Sequence, residues 1–268
     1  MDQIQTKTGV AVVTGAAGGM GHPAAQRLAA QGWPLLLCDL DAGRLEQVAA
    51  PLRAAGAQVE ILAGDVADPA FPARLVSAVG ARQIGALVHT AGLSPTLADA
   101  ARIMEVNFFA TRRLVAAVRP RMAEGGCAVL ISSMSAYMAN KPEIDKAIGE
   151  LLDGDATAAA QITTTPQSAY PFSKRAVIAL VAREAAAFGQ HNARIASIAP
   201  GLIDTGMGRA EMIASPQTKV MLDRTPLGRL GLGDEIASVA VFLCSPEAAY
   251  ITGCDIKVDG GTLAALGL

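Results

Sequence analysis

Tyr170 and Lys174 stand four residues apart in Tyr-Pro-Phe-Ser-Lys, a spacing that on a helix projects both side chains from one face. A free phenol has a pKa near ~10, too high for ready proton exchange at neutral pH, and a cation held within ~4–6 Å lowers it. The pair is the outline of a proton donor. Taken alone, the same spacing also describes an ordinary surface pair. Ser133 adds a hydroxyl at the end of an apolar run, although serines there also serve as caps. Asn107 places an amide among helically spaced apolar residues, where it needs partners or bonds to a neighbouring turn.

A second group of residues has the chemistry to hold a dinucleotide. Residues 10–13 are a short β-branched run that ends in Thr14-Gly15-Ala16-Ala17-Gly18-Gly19-Met20-Gly21, and a helical pattern begins at His22-Pro23. Glycines between strand and helix let the backbone turn tightly and approach a pyrophosphate, whose charge is stabilised by the exposed amides at the helix N-terminus. Gly15, Gly19, Met20 and Gly21 are therefore candidate cofactor contacts. Asp39 closes the next apolar run, where a carboxylate can accept from both adenosine ribose hydroxyls and would repel a 2′-phosphate. With no Arg or Lys between Ala16 and Met20, this predicts NAD over NADP. The alternative use of Asp39 is as a turn former before Gly43, a purpose that Asp41 nearby serves as well. Asp65 and Val66 follow a third strand; Asp65 suits an adenine amino group, or a cap for a helix starting near Asp68-Pro69. Small residues at Ala91-Gly92 let backbone lie against a cofactor. His89, just before them, is read as a packed strand end.

The elements that must position these groups alternate strand and helix throughout, which predicts an α/β doubly wound fold with a seven-stranded parallel sheet. Strands are expected at 10–13, 34–39, 58–62, 84–89, 127–131, 194–198 and 254–258, with helical spacing between them. The catalytic pair falls on a helix expected over 168–188, with Pro171 in its first turn and Tyr170 at its entrance. Between Ser133 and Tyr170 the chain is too long for a simple loop. A helical insertion over about 138–167 is predicted, with Ile144, Ile148, Leu151 and Leu152 on one face and Asn140 as a possible cap; it is either a partner-binding arm or a cover for its own domain. Residues 206–227 carry Met207, Met212, Met221 and Leu222 without a clean period. They read as a mobile substrate lid.

Composition narrows the function classes. With 51% hydrophobic, 17% charged and only 4% aromatic residues, aliphatic side chains must fill a large core, and one domain over 1–268 is expected. A net charge of −2 gives no basic footprint for nucleic acid or an anionic membrane. Cys38, Cys127, Cys244 and Cys254 have no metal-ligand or redox-motif spacing and read as buried free thiols; with His22, His89 and His191 equally scattered, no metal site is expected. The first seven residues lack a charged start followed by a long apolar run, and no stretch of eighteen apolar residues occurs, so a cytoplasmic protein is expected.

Assembled in order, these motifs resemble the short-chain dehydrogenase/reductase family over essentially the whole chain. The Thr-Gly-x-x-x-Gly-x-Gly loop is Thr14 to Gly21, the Tyr-x-x-x-Lys is Tyr170 to Lys174, and Pro200, Gly201 and Thr205 match the Pro-Gly followed by Thr. Asn107 and Ser133 fall at the family's other two catalytic positions. His89-Thr90 stands where the family has Asn-Asn, and His22 replaces an aliphatic residue. The long segment after Ser133 is similar to that of the bacterial 3α-hydroxysteroid dehydrogenase/carbonyl reductase and coniferyl alcohol dehydrogenase branch, whose inserted helices lie near the subunit interface.

The resemblance implies hydride transfer between nicotinamide and a carbinol or carbonyl carbon. Tyr170 then exchanges the proton, Ser133 orients the oxygen, Lys174 holds the nicotinamide ribose and lowers the phenol, and Asn107 positions a water. Ile203 and Thr205 would hold the carboxamide. It further implies a homo-oligomer, dimer or tetramer. Lid methionines, Leu93-Ser94-Pro95 and Tyr137 point to a fairly large hydrophobic alcohol or ketone of steroid, terpenoid or aromatic type. Two rival readings use the same fold: a non-catalytic NAD-binding regulator, and a lyase or epimerase.

Overall fold

Apolar β-branched runs separated by helical segments can pair only in parallel, and seven of them do. The computed structural model describes residues 9–268, and the N-terminal segment read above lies outside them. The sheet contains β1 (Val10–Thr14), β2 (Leu35–Asp39), β3 (Val59–Ala63), β4 (Ile84–His89), β5 (Met122–Ile131), β6 (Arg194–Pro200) and β9 (Asp255–Val258). Its order is β3-β2-β1-β4-β5-β6-β9, all parallel; β7 (Ile203–Asp204) and β8 (Gly231–Leu232) form a separate parallel pair. β1 has β2 on one side and β4 on the other, so the chain order reverses there. That reversal opens the crevice at the carboxyl ends of the strands in which ligands of such sheets bind.

Alternation along β1 divides the core in two. Val10 and Val12 join a cluster with Phe71, Leu75, Phe108 and Phe172, beneath α3 (Phe71–Val79), α4 (Ala100–Met104), α5 (Thr111–Val118) and α9 (Pro166–Gly189). Ala11 and Val13 face the opposite cluster with Ala24, Leu28, Leu45 and Ala240, beneath α1 (Gly21–Ala30), α2 (Ala42–Ala54) and α12 (Gly233–Leu243). Small residues let α1 and α12 approach closely, and Arg27 bridges them by pairing both carboxylate oxygens of Asp234 at 2.6 Å.

Three expectations are corrected, and the 206–227 segment gains definition. β5 begins at Met122: Met122 pairs with Ile84, then the register slips so that Cys127 pairs with Ala86, and Gly125 at φ +74° takes up the extra length. The Glu124-Gly125-Gly126 run disguises this first half of the strand. The catalytic helix starts at Pro166, because Thr165 accepts from the Ser168 amide while the Ser168 hydroxyl accepts from the Thr165 amide. That capping box defines the start, so Tyr170 lies one turn inside α9 and Pro171 is a helix-interior proline. Cys254 is exposed, while Cys38, Cys127 and Cys244 are buried. Residues 206–227 hold two regular helices, α10 (Gly206–Ala214) and α11 (Pro216–Arg224), each short and partly exposed, which leaves little periodicity to read.

After β5 come α6 (Ser135–Met138), α7 (Pro142–Leu152) and α8 (Thr157–Ile162). Ala147, Ile148, Leu151 and Leu152 are buried in the same core cluster as Phe172. α7 thus packs against α9 of its own domain, with Arg175 of α9 paired to Asp145 at 2.5 Å. The chain closes with α13 (Thr262–Ala265). Among the described residues no helix is long and apolar enough to cross a membrane, and no group of three His, Cys, Asp or Glu side chains could hold a metal ion.

Candidate active site

The glycine loop after β1 is shaped by what presses on it. Gly15 has φ +67°, and a Cβ there would stand 2.8 Å from the Ala91 nitrogen; one at Gly19 would stand 2.5 Å from Thr205 Cγ2. Gly21 opens α1, and a Cβ on it would meet the Gly15 carbonyl oxygen at 2.2 Å. The loop, the turn after β4 and the segment after β6 therefore converge. They enclose a cavity of about 470 Å³ bordered by Gly15, Gly19, Met20, Asp39, Asp65 and Val66 on one side, with Ala91, Gly92 and Thr205 on the other. A cradle closed against side chains at the glycines, carboxylate at one end and backbone amides at the other, fits a dinucleotide.

At the far end of that cavity, Asp39 accepts from the Ala17 amide at 2.9 Å and the Leu40 amide at 2.7 Å. Each oxygen retains acceptor capacity for a ribose hydroxyl. Arg44 borders the same cavity and donates to the Ala17 carbonyl at 2.8 Å, a cation that the reading of residues 16–20 alone overlooked. Asp65 has both oxygens engaged, one by the Ala67 amide at 2.9 Å and one by Arg102 at 2.5 Å.

A smaller cavity of about 80 Å³ shares Met20, Gly92, Leu93 and Thr205 with the first, and Ser133, Tyr170 and Lys174 meet on its wall. Pro200, Gly201 and Ile203 also line it. The ends of β4, β5 and β6 together with α9 thus deliver residues that the sequence scatters between Gly92 and Ile203. Lys174 Nζ donates to the Ile131 carbonyl at 2.8 Å and lies 5.9 Å from the centre of the Tyr170 ring.

Electrostatics here depart from expectation. Burial first, and then the Glu211 carboxylate, push the Tyr170 phenol up to about 12, against a hydrogen bond to Ser133 that lowers it. Burial pushes Lys174 down to about 8, opposed by Glu211. In the protein alone, desolvation outweighs the lowering expected from the nearby ammonium.

Asn107 is placed beside this group, not within it. It sits in a π-helical turn, Glu105–Ala110, where the widened backbone lets its amide face the turn after β4. Its Nδ2 donates to the Leu93 carbonyl at 2.9 Å and to Ser173 Oγ at 3.2 Å, and its Oδ1 accepts from the Leu93 amide at 2.8 Å. His89 is a buried strand end as expected: Nδ1 meets Thr14 Oγ1 at 2.6 Å and Nε2 meets Thr111 Oγ1 at 2.8 Å. Burial, aided by Lys174, pushes it down to about 3, so it is a neutral strut between β1 and α5.

Of the pocket-wall residues read from sequence, Met207 and Met212 line the smaller cavity with Leu93. Tyr137 is turned elsewhere, its hydroxyl donating to Asp255 at 2.8 Å while Lys257 sits 4.3 Å over its ring. The same carboxylate accepts from Ser132 at 2.6 Å and Ser197 at 2.5 Å, tying down the residue before Ser133. Sequence reasoning missed Asp255 because its partners lie far away in the chain, Ser132 just after β5, Tyr137 on α6 and Ser197 within β6. It missed Glu211 because α10 showed no periodicity by which to assign a face.

With this geometry in view, residues 9–143 match the short chain dehydrogenase family and residues 140–262 the enoyl-(acyl carrier protein) reductase family. The chain is 34% identical over 265 residues to galactitol 2-dehydrogenase (L-tagatose-forming) of Cereibacter sphaeroides, covering 94% of this chain and 93% of the relative. It is 28% identical to 7alpha-hydroxysteroid dehydrogenase of Escherichia coli, covering 99% and 98%. A short chain dehydrogenase from Burkholderia cenocepacia, solved in complex with NADP, superposes with a TM-score of 0.77 at 25% identity, covering 97% and 99%. The chain belongs to the short-chain dehydrogenase/reductase family, whose members use a nicotinamide cofactor. It is an oxidoreductase acting on CH–OH groups.

Proposed function

We propose that this protein is one dehydrogenase unit that uses NAD to interconvert a secondary or benzylic alcohol and its carbonyl product, with Asn107, Ser133, Tyr170 and Lys174 as its working residues. The observation that carries the reading is the meeting of Ser133, Tyr170 and Lys174 on one wall, at the point where the small cavity opens into the dinucleotide cleft. The bound cofactor supplies or accepts the hydride.

The chain's own groups do the rest. Tyr170 gives its proton to the carbonyl oxygen in reduction and takes it back in oxidation. Ser133, held against Ser135 by contacts of 3.0 and 3.2 Å, directs a hydrogen bond at the same oxygen. Lys174 faces the ribose side, and its charge favours the phenolate once proton transfer begins. Asn107 clamps residue 93 at the cavity rim, and a water beside it would connect Lys174 to solvent. Gly15, Gly19, Met20 and Gly21 receive the pyrophosphate, Pro200, Gly201, Ile203 and Thr205 the nicotinamide end, and Asp65 and Val66 the adenine.

Asp39 supports NAD as the preferred cofactor, because a carboxylate at the end of β2 can accept from the ribose hydroxyls and would repel a 2′-phosphate. Arg44 nearby would serve NADP if that carboxylate were removed. The apolar wall of Leu93, Met207 and Met212 supports a hydrophobic body on the substrate. A molecule of steroid or terpenoid size needs several hundred Å³, so α10 and α11 would have to swing outward as a lid. A homo-oligomer, dimer or tetramer, is the assembly that the family resemblance implies, and exposed Phe242 and Tyr250 are surfaces on which to test it.

Incubating the enzyme with NAD and a panel of secondary and benzylic alcohols, and following NADH by absorbance, tests the reading. Net NADH formation is expected. Tight NAD binding with no net reduction across the panel would favour a regulator or a lyase or epimerase instead.

A further inference from the structure

Glu211, on α10, places a carboxylate on the wall of the small cavity that holds Ser133, Tyr170 and Lys174. Around it the wall is largely apolar, with Leu93, Met207 and Met212. A charge there is costly unless it is partnered. Ser94, which is fully buried, offsets part of that cost by favouring the charged carboxylate, and Thr96 Oγ1 lies 2.9 Å from Ser94 Oγ. The same carboxylate acts electrostatically on both Tyr170 and Lys174, which share the cavity wall with it. A carboxylate can accept about four hydrogens, and its place on that wall offers them to a molecule in the cavity.

Resting on the dehydrogenase reading above, we infer that Glu211 is a specificity-determining residue that accepts a hydrogen bond from a second hydroxyl beside the reacting carbinol, making the preferred substrate a compact, uncharged vicinal diol or the corresponding α-hydroxy ketone. Each competing class meets an obstacle. An acid brings a second negative charge to Glu211. A protonated amino alcohol brings its charge beside Lys174. A simple mono-ol leaves the desolvated carboxylate without the partner that replaces water. The cavity of about 80 Å³ favours a small molecule over a fused-ring one. Hydroxyls on adjacent carbons present two groups to a cavity whose wall carries both Tyr170 and Glu211.

The test compares the vicinal diol of cyclohexane, cyclohexanol and the matching amino alcohol with NAD, in wild type, Glu211→Gln and Glu211→Leu. Wild type should favour the diol by about 10- to 100-fold in kcat/KM, the range of one hydrogen bond to a charged acceptor. Glu211→Leu should reduce that ratio to near unity, and Glu211→Gln, which still accepts, should fall between. A ratio unchanged in Glu211→Leu, or a wild type that prefers cyclohexanol or the amino alcohol, would overturn the assignment. Calorimetry on Tyr170→Phe with NAD bound reads the same preference without turnover, with and without Glu211→Leu. A Glu211-dependent binding preference in an enzyme that turns over no alcohol would sink the dehydrogenase reading and keep this one; turnover with no such preference would do the reverse.

Discussion

At the residue scale, the site works by holding ionisable groups away from water. Lys174 carries the clearest consequence. Burial holds it down to about 8 in the folded protein, below the ordinary lysine value of about 10.4, so the unfolded chain binds more protons between those values and stability rises with pH there. Below pH 8 both states are protonated and the cost, on the order of 3 kcal/mol, is fully present. Denaturation of wild type and Lys174→Met across this range should show a rise in wild type that the variant lacks; parallel curves would mean that Lys174 is not desolvated. The cofactor preference proposed for Asp39 is tested in the same local way. Asp39→Ser removes the repulsion of a 2′-phosphate and leaves Arg44 in the cavity wall. The kcat/KM ratio of NAD to NADP should fall at least about tenfold, as expected for one charged contact near 1.4 kcal/mol or more. An unchanged ratio would remove Asp39 as the determinant.

At the scale of elements, α9 depends on its start. Thr165 and Ser168 cap each other across the first turn, with Pro166 at the first helical position and Pro171 tolerated further in. Thr165→Ala should cost about 1 kcal/mol, a drop of about 2–4 °C in Tm for a chain of this size, with kcat reduced if Tyr170 loses its placement. No change in Tm would show that the cap is idle. Much of this scaffold is legible in the chain: β-branched runs mark the strand centres, and the Tyr-Lys spacing marks the face of α9 before any contact is known. What stays hidden is set by distant partners. Pro171 looks like a helix start until Thr165 is seen capping Ser168. The first half of β5 is masked by glycines that only a register slip against β4 explains. The side of α10 that carries Glu211 cannot be chosen from a segment with no apolar stripe, and the Asp255 contacts to Ser132 and Ser197 join positions far apart in sequence.

At the scale of the whole molecule, one parallel sheet brings the glycine loop after β1, Asp39 after β2, the turn after β4, Ser133 after β5 and Pro200-Gly201 after β6 to a single edge. α9 then lowers Tyr170 and Lys174 into that edge, and α10 closes it with Glu211. Outside it, Phe242 and Tyr250 leave apolar surface exposed. Light scattering should give a multiple of 27.4 kDa, reduced by Phe242→Asp with Tyr250→Asp; a monomeric wild type would contradict the homo-oligomer. The proposed reaction couples proton exchange at Tyr170 to hydride transfer with the nicotinamide at this edge. The most direct measurement is NADH formation from an alcohol by wild type and Tyr170→Phe, paired with NADH binding by fluorescence. Turnover should fall by about a thousandfold or more, within the range of general acid–base catalysis, with binding affinity unchanged. A Tyr170→Phe enzyme that still turns over at close to the wild-type rate would contradict it.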